Sequence, residues 1–544
     1  MSNYTQVERN GLFELTDAAR AELTSSKYYN EDLAPTSVSQ RTWTTYNITM
    51  LWVGMSICVP SLSLATGLVQ SGISPWLAVI NVTLGNLIIL VPIQLNSHIG
   101  TKYGIPFPLF ARLTFGSVGA QIPSLLRALV ATGWCSVQSW VGGGAVAAII
   151  GCFAPKFSDT TWTINLPSWG GMQTAMAGQF IGFILYMLFT LWVAYNGIEN
   201  IKWVQNIGSP ILIVLMIALC AWSVKVGSNA GFSFGDIMGQ GNNEAALAGN
   251  GGFALVFLSG LMGNIAFWAT VALNIPDFSR YAKSQKVQIA GQFLGMPAPM
   301  FFCAFTGAVY AQAATLANTA KGLTEGMPGY KNPFDVITVL YGMQSKIIVI
   351  IVAIGVVMAT ITTCVAANVV APANGISNIS PRKISYRKGV VISILLSFFI
   401  FQAWWIYGTG GAYFNWLNIY GTLLAPVAAI FIADYFVVRK KRIEVAGLFK
   451  GPEGRYWYSG GWNIMAVLTW IISFALPLIV QLPTVLGAQV NFGAFGTFMS
   501  EWNYIVGFLI GFFLYIPLMK ASKAGKASLV TEEEHESFTE RASN

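Results

Sequence analysis

Trp134 and Gln138 stand four residues apart in an apolar stretch otherwise rich in small residues, among them Gly133, Ser136, Gly142, Gly143 and Gly144. That spacing puts both side chains on one face of a helix. An aromatic plane beside an amide can stack on a flat polar ligand and hydrogen-bond to its edge. Taken alone, each residue has a blander use: a tryptophan facing lipid, or a glutamine joining two helices through contacts worth ~0.6 kcal/mol on average. Trp268 lies about a turn and a half beyond Gly263 in another apolar stretch. Asn368, in a third, leaves an amide unpaired in hydrocarbon unless it meets a partner or a ligand. Just before it, Thr362 and Thr363 either back-bond within their own helix or offer hydroxyls to a cation. Carbonyls freed at a helix break between Gly54 and Ile57 would supply the remaining oxygens.

The elements that position these residues are membrane spans. Of 544 residues, 54% are hydrophobic and 10% charged, where a soluble protein carries roughly a quarter charged residues. A crossing takes ~20 mostly apolar residues. Apolar runs and their flanks predict spans at 45–70, 75–97, 121–153, 174–196, 203–225, 252–275, 291–317, 346–372, 388–408, 411–438, 462–485 and 502–520. With an even number of spans both termini share one side, and the loops on that side hold sixteen Lys and Arg against five on the other. Basic loops stay inside, so both termini are predicted to be cytoplasmic. The net charge of +8 is thereby a topology signal and points away from nucleic acid. The six cysteines lie in or beside apolar stretches without paired spacing, which fits neither a disulfide framework nor a zinc site. Residues 1–44 and 521–544 read as tails, and the latter, with its acidic run Glu532 to Glu536, as a disordered solvated stretch.

Two spans are interrupted alike. The first reads Trp52-Val53-Gly54-Met55-Ser56-Ile57-Cys58-Val59-Pro60 and the sixth Ser259-Gly260-Leu261-Met262-Gly263-Asn264. Backbone freed by Gly and Pro is tolerated at membrane depth only where protein or a cavity satisfies it. Breaks five spans apart fit an inverted five-plus-five repeat, 45–225 and 252–438, with the site between the two broken helices and spans 462–520 appended. No carboxylate or histidine falls at mid-span, where proton carriers usually sit. The ligand is therefore expected to be neutral, and any coupled cation to be held by oxygens. The same absence argues against an integral-membrane enzyme.

Five longer segments complete the reading: NEDLAPTSVSQRTW at 30–43, GTKYGIPFPLFARLTFG at 100–116, LNIPDFSRYAKSQ at 273–285, ANVVAPANGISNISPRK at 367–383 and ADYFVVRKKRI at 433–443. Together, in this order, they resemble the nucleobase:cation symporters of the first family, which include hydantoin, allantoin, cytosine and uracil permeases. The resemblance runs from about residue 30 to 520. It implies an all-α transporter of twelve helices with the inverted repeat. In it Trp134 and Trp268 match the family's aromatic residues, and Gln138 and Asn368 its substrate-reading amides. The sodium ligands it implies are the carbonyls of Gly54, Ile57 and Ala359 and the hydroxyls of Thr362 and Thr363, with Leu417 or Trp416 as a bulky gate. Both hydroxyl positions are kept, which favours Na+ over the H+ that other members use. Phe267 stands where the hydantoin transporter has glycine, and Cys58 replaces a polar residue, which weighs against hydantoins bearing a bulky aromatic group.

The resulting expectation is a monomeric symporter of the cell membrane. It would import a small neutral planar ring such as uracil, allantoin or a hydantoin, sandwiched between Trp134 and Trp268, with Phe267 in the substrate pocket. The sequence leaves the choice of ring open. An amino-acid or betaine-type osmolyte carrier on the same architecture is the alternative, although an amino acid needs partners for two charges and the pocket offers amides and aromatics.

Overall fold

The computed structural model describes residues 4–541 except 170, 325–326, 328–329, 334–344, 407–409 and 486–489. The outermost residues of both expected tails and the end of the ninth expected span, 407–408, lie outside these. Among the described residues nine helices are long and apolar enough to cross a membrane, and one bent pair makes a tenth. The two other expected spans are also helical. Span 3, Gln121–Gly151, has the length, but its Gly, Ser, Trp and Gln residues make it less apolar, and most of it is buried by its neighbours. Span 9 is the short helix Tyr386–Phe399. The chain is an all-α polytopic membrane protein.

Burial separates interior spans from outer ones. In the apolar window of span 10 (Trp416–Val438) 83% of residues are buried, against 28% in span 11 (Ile464–Pro483) and span 12 (Asn503–Ala521). The outer helices present Ile471, Ile479, Leu509 and Phe513 outward, as apolar side chains facing lipid do.

The breaks give the site its backbone. Span 1 is two half-helices, Thr45–Ser56 and Val59–Gln70, bent by 52°. Ile57 (φ −84°, ψ 88°) and Cys58 (φ −147°, ψ 164°) leave helical geometry between them. Pro60 falls in the first turn of the second half, where its missing N–H costs nothing. Span 6 runs as helix Phe253–Phe267 straight through Ser259–Asn264, where the sequence places its break, because glycines without a proline stay in the helical ladder; the interruption falls four residues later, at Trp268 (φ −99°, ψ 0°), before Ala269–Asn274. Span 8 starts as Lys346–Thr363, widens into a π-helical turn at Cys364–Val369 and resumes through Ile379. Such turns are frequent at functional sites.

The expectation of a disordered C-terminal tail does not hold. Strands β1 (Gln6–Arg9) and β2 (Leu12–Leu15) form a hairpin across Asn10-Gly11, both at positive φ, the turn chemistry two-residue hairpins favour. A further strand, Thr539–Arg541, pairs in parallel with β1, and Gln6 Nε2 donates to Thr539 Oγ1 at 2.9 Å. The acidic run meets Arg442 and Arg455, which pair with Glu532 and Glu534. Opposite charges and a free strand edge hold the tail in place. Joined termini lie on one side, as an even number of crossings requires.

Candidate functional site

Trp134 and Gln138 are both buried on span 3. The ring of Trp134 meets that of Phe267 edge-on at 5.1 Å and that of Trp416 at 5.1 Å, and its Nε1 donates to Tyr420 Oη at 3.2 Å. Close approach of span 10 requires Gly133: a Cβ there would lie 2.7 Å from Trp416 and 2.9 Å from Phe401. Trp416 is thus the gate candidate that touches the aromatic wall, and Leu417 is fully buried beside it.

Trp268 is placed differently from the expected sandwich. Its ring contacts Phe267 at 5.1 Å and Trp52 at 5.2 Å, both edge-on. Its Nε1 donates to Asn86 Oδ1 at 2.7 Å. Phe267 therefore stands between Trp134 and Trp268, and the Trp268 N–H is engaged by span 2. The same helix ties down the other half of span 6, since Asn264 Nδ2 donates to Asn81 Oδ1 at 2.8 Å. Asn81, Asn86 and Tyr420 carried no local signal of these roles.

The polar readers are incompletely satisfied. Gln138 Nε2 lies 3.6 Å from the Cys58 thiol, and Gln138 Oε1 is buried without a hydrogen bond. The Asn368 side chain is 3% exposed, and no hydrogen bond to its amide is found among the described residues. Cys135 and Cys364, one residue after Trp134 and Thr363 respectively, approach to 3.3 Å between sulfurs. That contact lays the π-turn carrying Asn368 against span 3. Buried amides without partners are uncommon because each unmade bond costs ~1–3 kcal/mol. A ligand with NH and C=O edges would satisfy both.

A second convergence of neutral oxygens lies between spans 1 and 8. Thr362 Oγ1 is 2.9 Å from the Gly54 carbonyl oxygen and 3.0 Å from that of Ala359. Thr363 Oγ1 is 3.0 Å from both. Two hydroxyl protons cannot serve all these carbonyl lone pairs, and the surplus acceptors suit a hard cation. Ile57, the kink residue, makes none of these contacts. Span 5 closes the side: Gln205 Nε2 donates to the Thr362 carbonyl at 2.7 Å, and a Cβ on Gly54 would lie 1.8 Å from Gln205 Oε1. Gln205 and Ser209 are themselves four residues apart, so the spacing that marked Trp134 and Gln138 was present here too. No group of three His, Cys, Asp or Glu that could hold a metal occurs among the described residues.

On the terminus-bearing side the site is underlain by charge. Arg127, near the start of span 3, is fully buried. Asp277, just beyond span 6, is also buried, and burial lifts its carboxyl to about 6 against the opposing pull of Arg280, the Phe107 N–H and Arg127.

Comparison with known proteins identifies relatives of this chain. A family described as permeases for cytosine/purines, uracil, thiamine and allantoin matches residues 35–507. A purine-uracil permease of Arabidopsis thaliana is 34% identical, over 83% of this chain and 71% of its own. An allantoin permease of Bacillus subtilis is 30% identical, over 94% and 96%. The solved structure of Mhp1, a nucleobase-cation-symport-1 family transporter in a closed conformation with bromovinylhydantoin bound, superposes with a TM-score of 0.74 at 23% identity. It covers 94% of this chain and 99% of that one, which shows a shared fold.

Proposed function

The chain belongs to this family of permeases and is a transporter rather than an enzyme, and from that premise we propose that it imports a small neutral planar nucleobase or ureide together with a cation. The substrate ring packs on Trp134 beside Phe267, whose edge meets the Trp134 ring and which Trp268 backs, while Gln138 and Asn368 read its donors and acceptors. An amide side chain offers both a donor and an acceptor, which suits uracil, allantoin or a hydantoin and leaves a full negative charge without a partner. The observation that supports this most is Gln138 Oε1, buried without a hydrogen bond four residues from Trp134, with Asn368 buried on the π-turn of span 8 that packs on the same helix.

The coupled cation is Na+, carried between spans 1 and 8 by the Gly54, Ile57 and Ala359 carbonyls and the Thr362 and Thr363 hydroxyls. Holding the kink of span 1 in one shape, it favours substrate binding by its differential affinity for the two states. Spans 3 and 8 then rock against the broken spans 1 and 6 in an inverted five-helix repeat, and Trp416 and Leu417 gate the outer path. The protein acts as a monomer in the cell membrane with both termini in the cytoplasm. Phe267, interposed at the aromatic wall, restricts the pocket to single rings.

The test is binding of radiolabelled uracil, allantoin and hydantoin to purified protein with and without Na+. One of them binds, more tightly in Na+, and Trp134→Ala and Asn368→Ala weaken it. Parent-like affinity in both variants removes the pocket, and uptake that follows a proton gradient and ignores Na+ removes the cation assignment. Competition by betaine in place of the rings transfers the protein to the osmolyte carriers.

A further inference from the structure

Arg127 is a fully buried charge two helical turns before Trp134 on span 3. Its guanidinium reaches two other spans at once. Nε donates to Asn274 Oδ1 at 3.0 Å, at the inner end of span 6. Nη2 donates to the Ala367 carbonyl at 2.6 Å, within the π-helical turn of span 8 and one residue before Asn368. Asp277 supplies the opposing charge through space. Nη1 has no hydrogen-bond partner.

Arg439, in a network that stabilises the fold, is saturated: its three nitrogens bond Asp434, the Ser528 carbonyl, the Ser528 hydroxyl, Leu113 and Tyr458. Arg127 makes two bonds, and the shorter one falls on the backbone of the turn that carries the substrate-reading asparagine. A π-helical turn is a local departure from the α-helical ladder, and an outside bond to one of its carbonyls fixes its shape. A charge-assisted bond to a backbone carbonyl is such a contact. A lysine cannot reproduce it, because a single ammonium does not span the two acceptors that the rigid fork reaches.

We propose that Arg127 is a positioning residue for substrate recognition: by holding the Ala367 carbonyl it fixes the π-turn and so the direction in which Asn368 presents its amide. The inference rests on the reading of Asn368 as a substrate contact.

A double-mutant cycle tests it, with whichever of radiolabelled uracil, allantoin and hydantoin binds the parent most tightly as probe. Arg127→Lys keeps the charge opposite Asp277 and lowers affinity at least ~10-fold, the equivalent of ~1.4 kcal/mol. In the Asn368→Ala background the same substitution causes no further loss, because the amide it positions is gone. In the Gln138→Ala background it causes its full loss, because Gln138 sits on span 3 and not on the π-turn. Asn274→Ala, which leaves the arginine in place and removes one anchor of its fork, gives a smaller loss that also vanishes in Asn368→Ala, and it carries the test if Arg127→Lys yields no folded protein. Losses that multiply with Asn368→Ala overturn the inference, as does parent-like affinity of a folded Arg127→Lys. Parent-like affinity of Asn368→Ala, or no binding of any probe, instead overturns the pocket reading and takes the inference with it.

Discussion

Two polar regions of this molecule are built on opposite rules. At the terminus-bearing end of span 10, the buried Asp434 accepts from Thr114 at 3.0 Å, Tyr515 at 2.9 Å and Arg439 at 2.8 Å. Arg439 is saturated in turn, and Asn463 Nδ2 donates to the Thr114 carbonyl at 2.7 Å. At the helix breaks the polar groups are neutral, and several buried atoms, Gln138 Oε1 and the Ser56, Ser136 and Ser139 hydroxyls among them, lack partners. A charged network is costly to bury unless its lone pairs and protons are used, as they are around Asp434. A neutral one tolerates gaps, and those gaps are where a ligand adds bonds. The charged region thus serves the fold and the neutral one serves binding.

The largest expected effect breaks the first region. Asp434→Leu or Arg439→Met alone strands one buried charge and destabilises the protein by ~3–5 kcal/mol, seen as a lower midpoint in thermal unfolding of the purified protein. Removing both together recovers most of that loss, because no unpaired charge remains.

The second region responds with the opposite sign. Asn368→Leu and Gln138→Leu each remove an unsatisfied amide, so the thermal midpoint stays level or rises, while affinity for the ring falls by ~1–3 kcal/mol, roughly 5- to 150-fold. If stability and affinity fall together, these amides belong to the structural class and the contrast between the regions fails.

A third set of residues lies between these extremes. Trp268 is aromatic wall by type but structurally tied, its N–H bonded to Asn86. Trp268→Phe keeps the ring and loses that bond, and Asn86→Ala loses it from the other side. Each costs ~1 kcal/mol of stability, readable in the same unfolding experiment, and the double variant costs little more than either single one.

The sequence carried much of this because the signals are local. Four-residue spacing marked Trp134 and Gln138, Gly54 and Pro60 bracketed a break that the structure bends by 52°, and adjacent threonines marked the oxygen cluster. What escaped depends on partners far along the chain. The interposition of Phe267 between Trp134 and Trp268 follows from how span 6 meets span 3, and Asn86 is assigned only by its contact 182 positions away. Arg127 was different: an arginine inside an expected span is a visible anomaly, and weighing only carboxylates and histidines passed it over. The C-terminal tail was misread because its order comes from β1, whose Gln6 lies 533 positions from Thr539, and composition alone suggested solvation.

The smallest effect concerns that tail, a third polar region that is charged but only part-buried. The ring of His535 lies 5.3 Å from that of Phe13 and 5.6 Å from that of Phe538, and its Nε2 is 3.4 Å from Tyr103 Oη. Burial, then Lys102, Arg442 and Arg541, hold its imidazolium form down to about 4, with Glu532 opposing. In a detached tail it titrates at its ordinary 6.5. As pH falls below 6.5 the detached state takes up a proton that the docked state refuses until about 4, so docking is complete above 6.5 and weakens progressively between those values. The ring's partial exposure keeps the effect small. Amide protection factors over Thr539–Arg541 and Gln6–Glu8 are therefore lower at pH 5 than at pH 7.5 in the parent, and His535→Gln removes the difference. A tail whose protection ignores pH is held by strand pairing and the Arg442 and Arg455 ion pairs alone, and then behaves like the saturated region around Asp434.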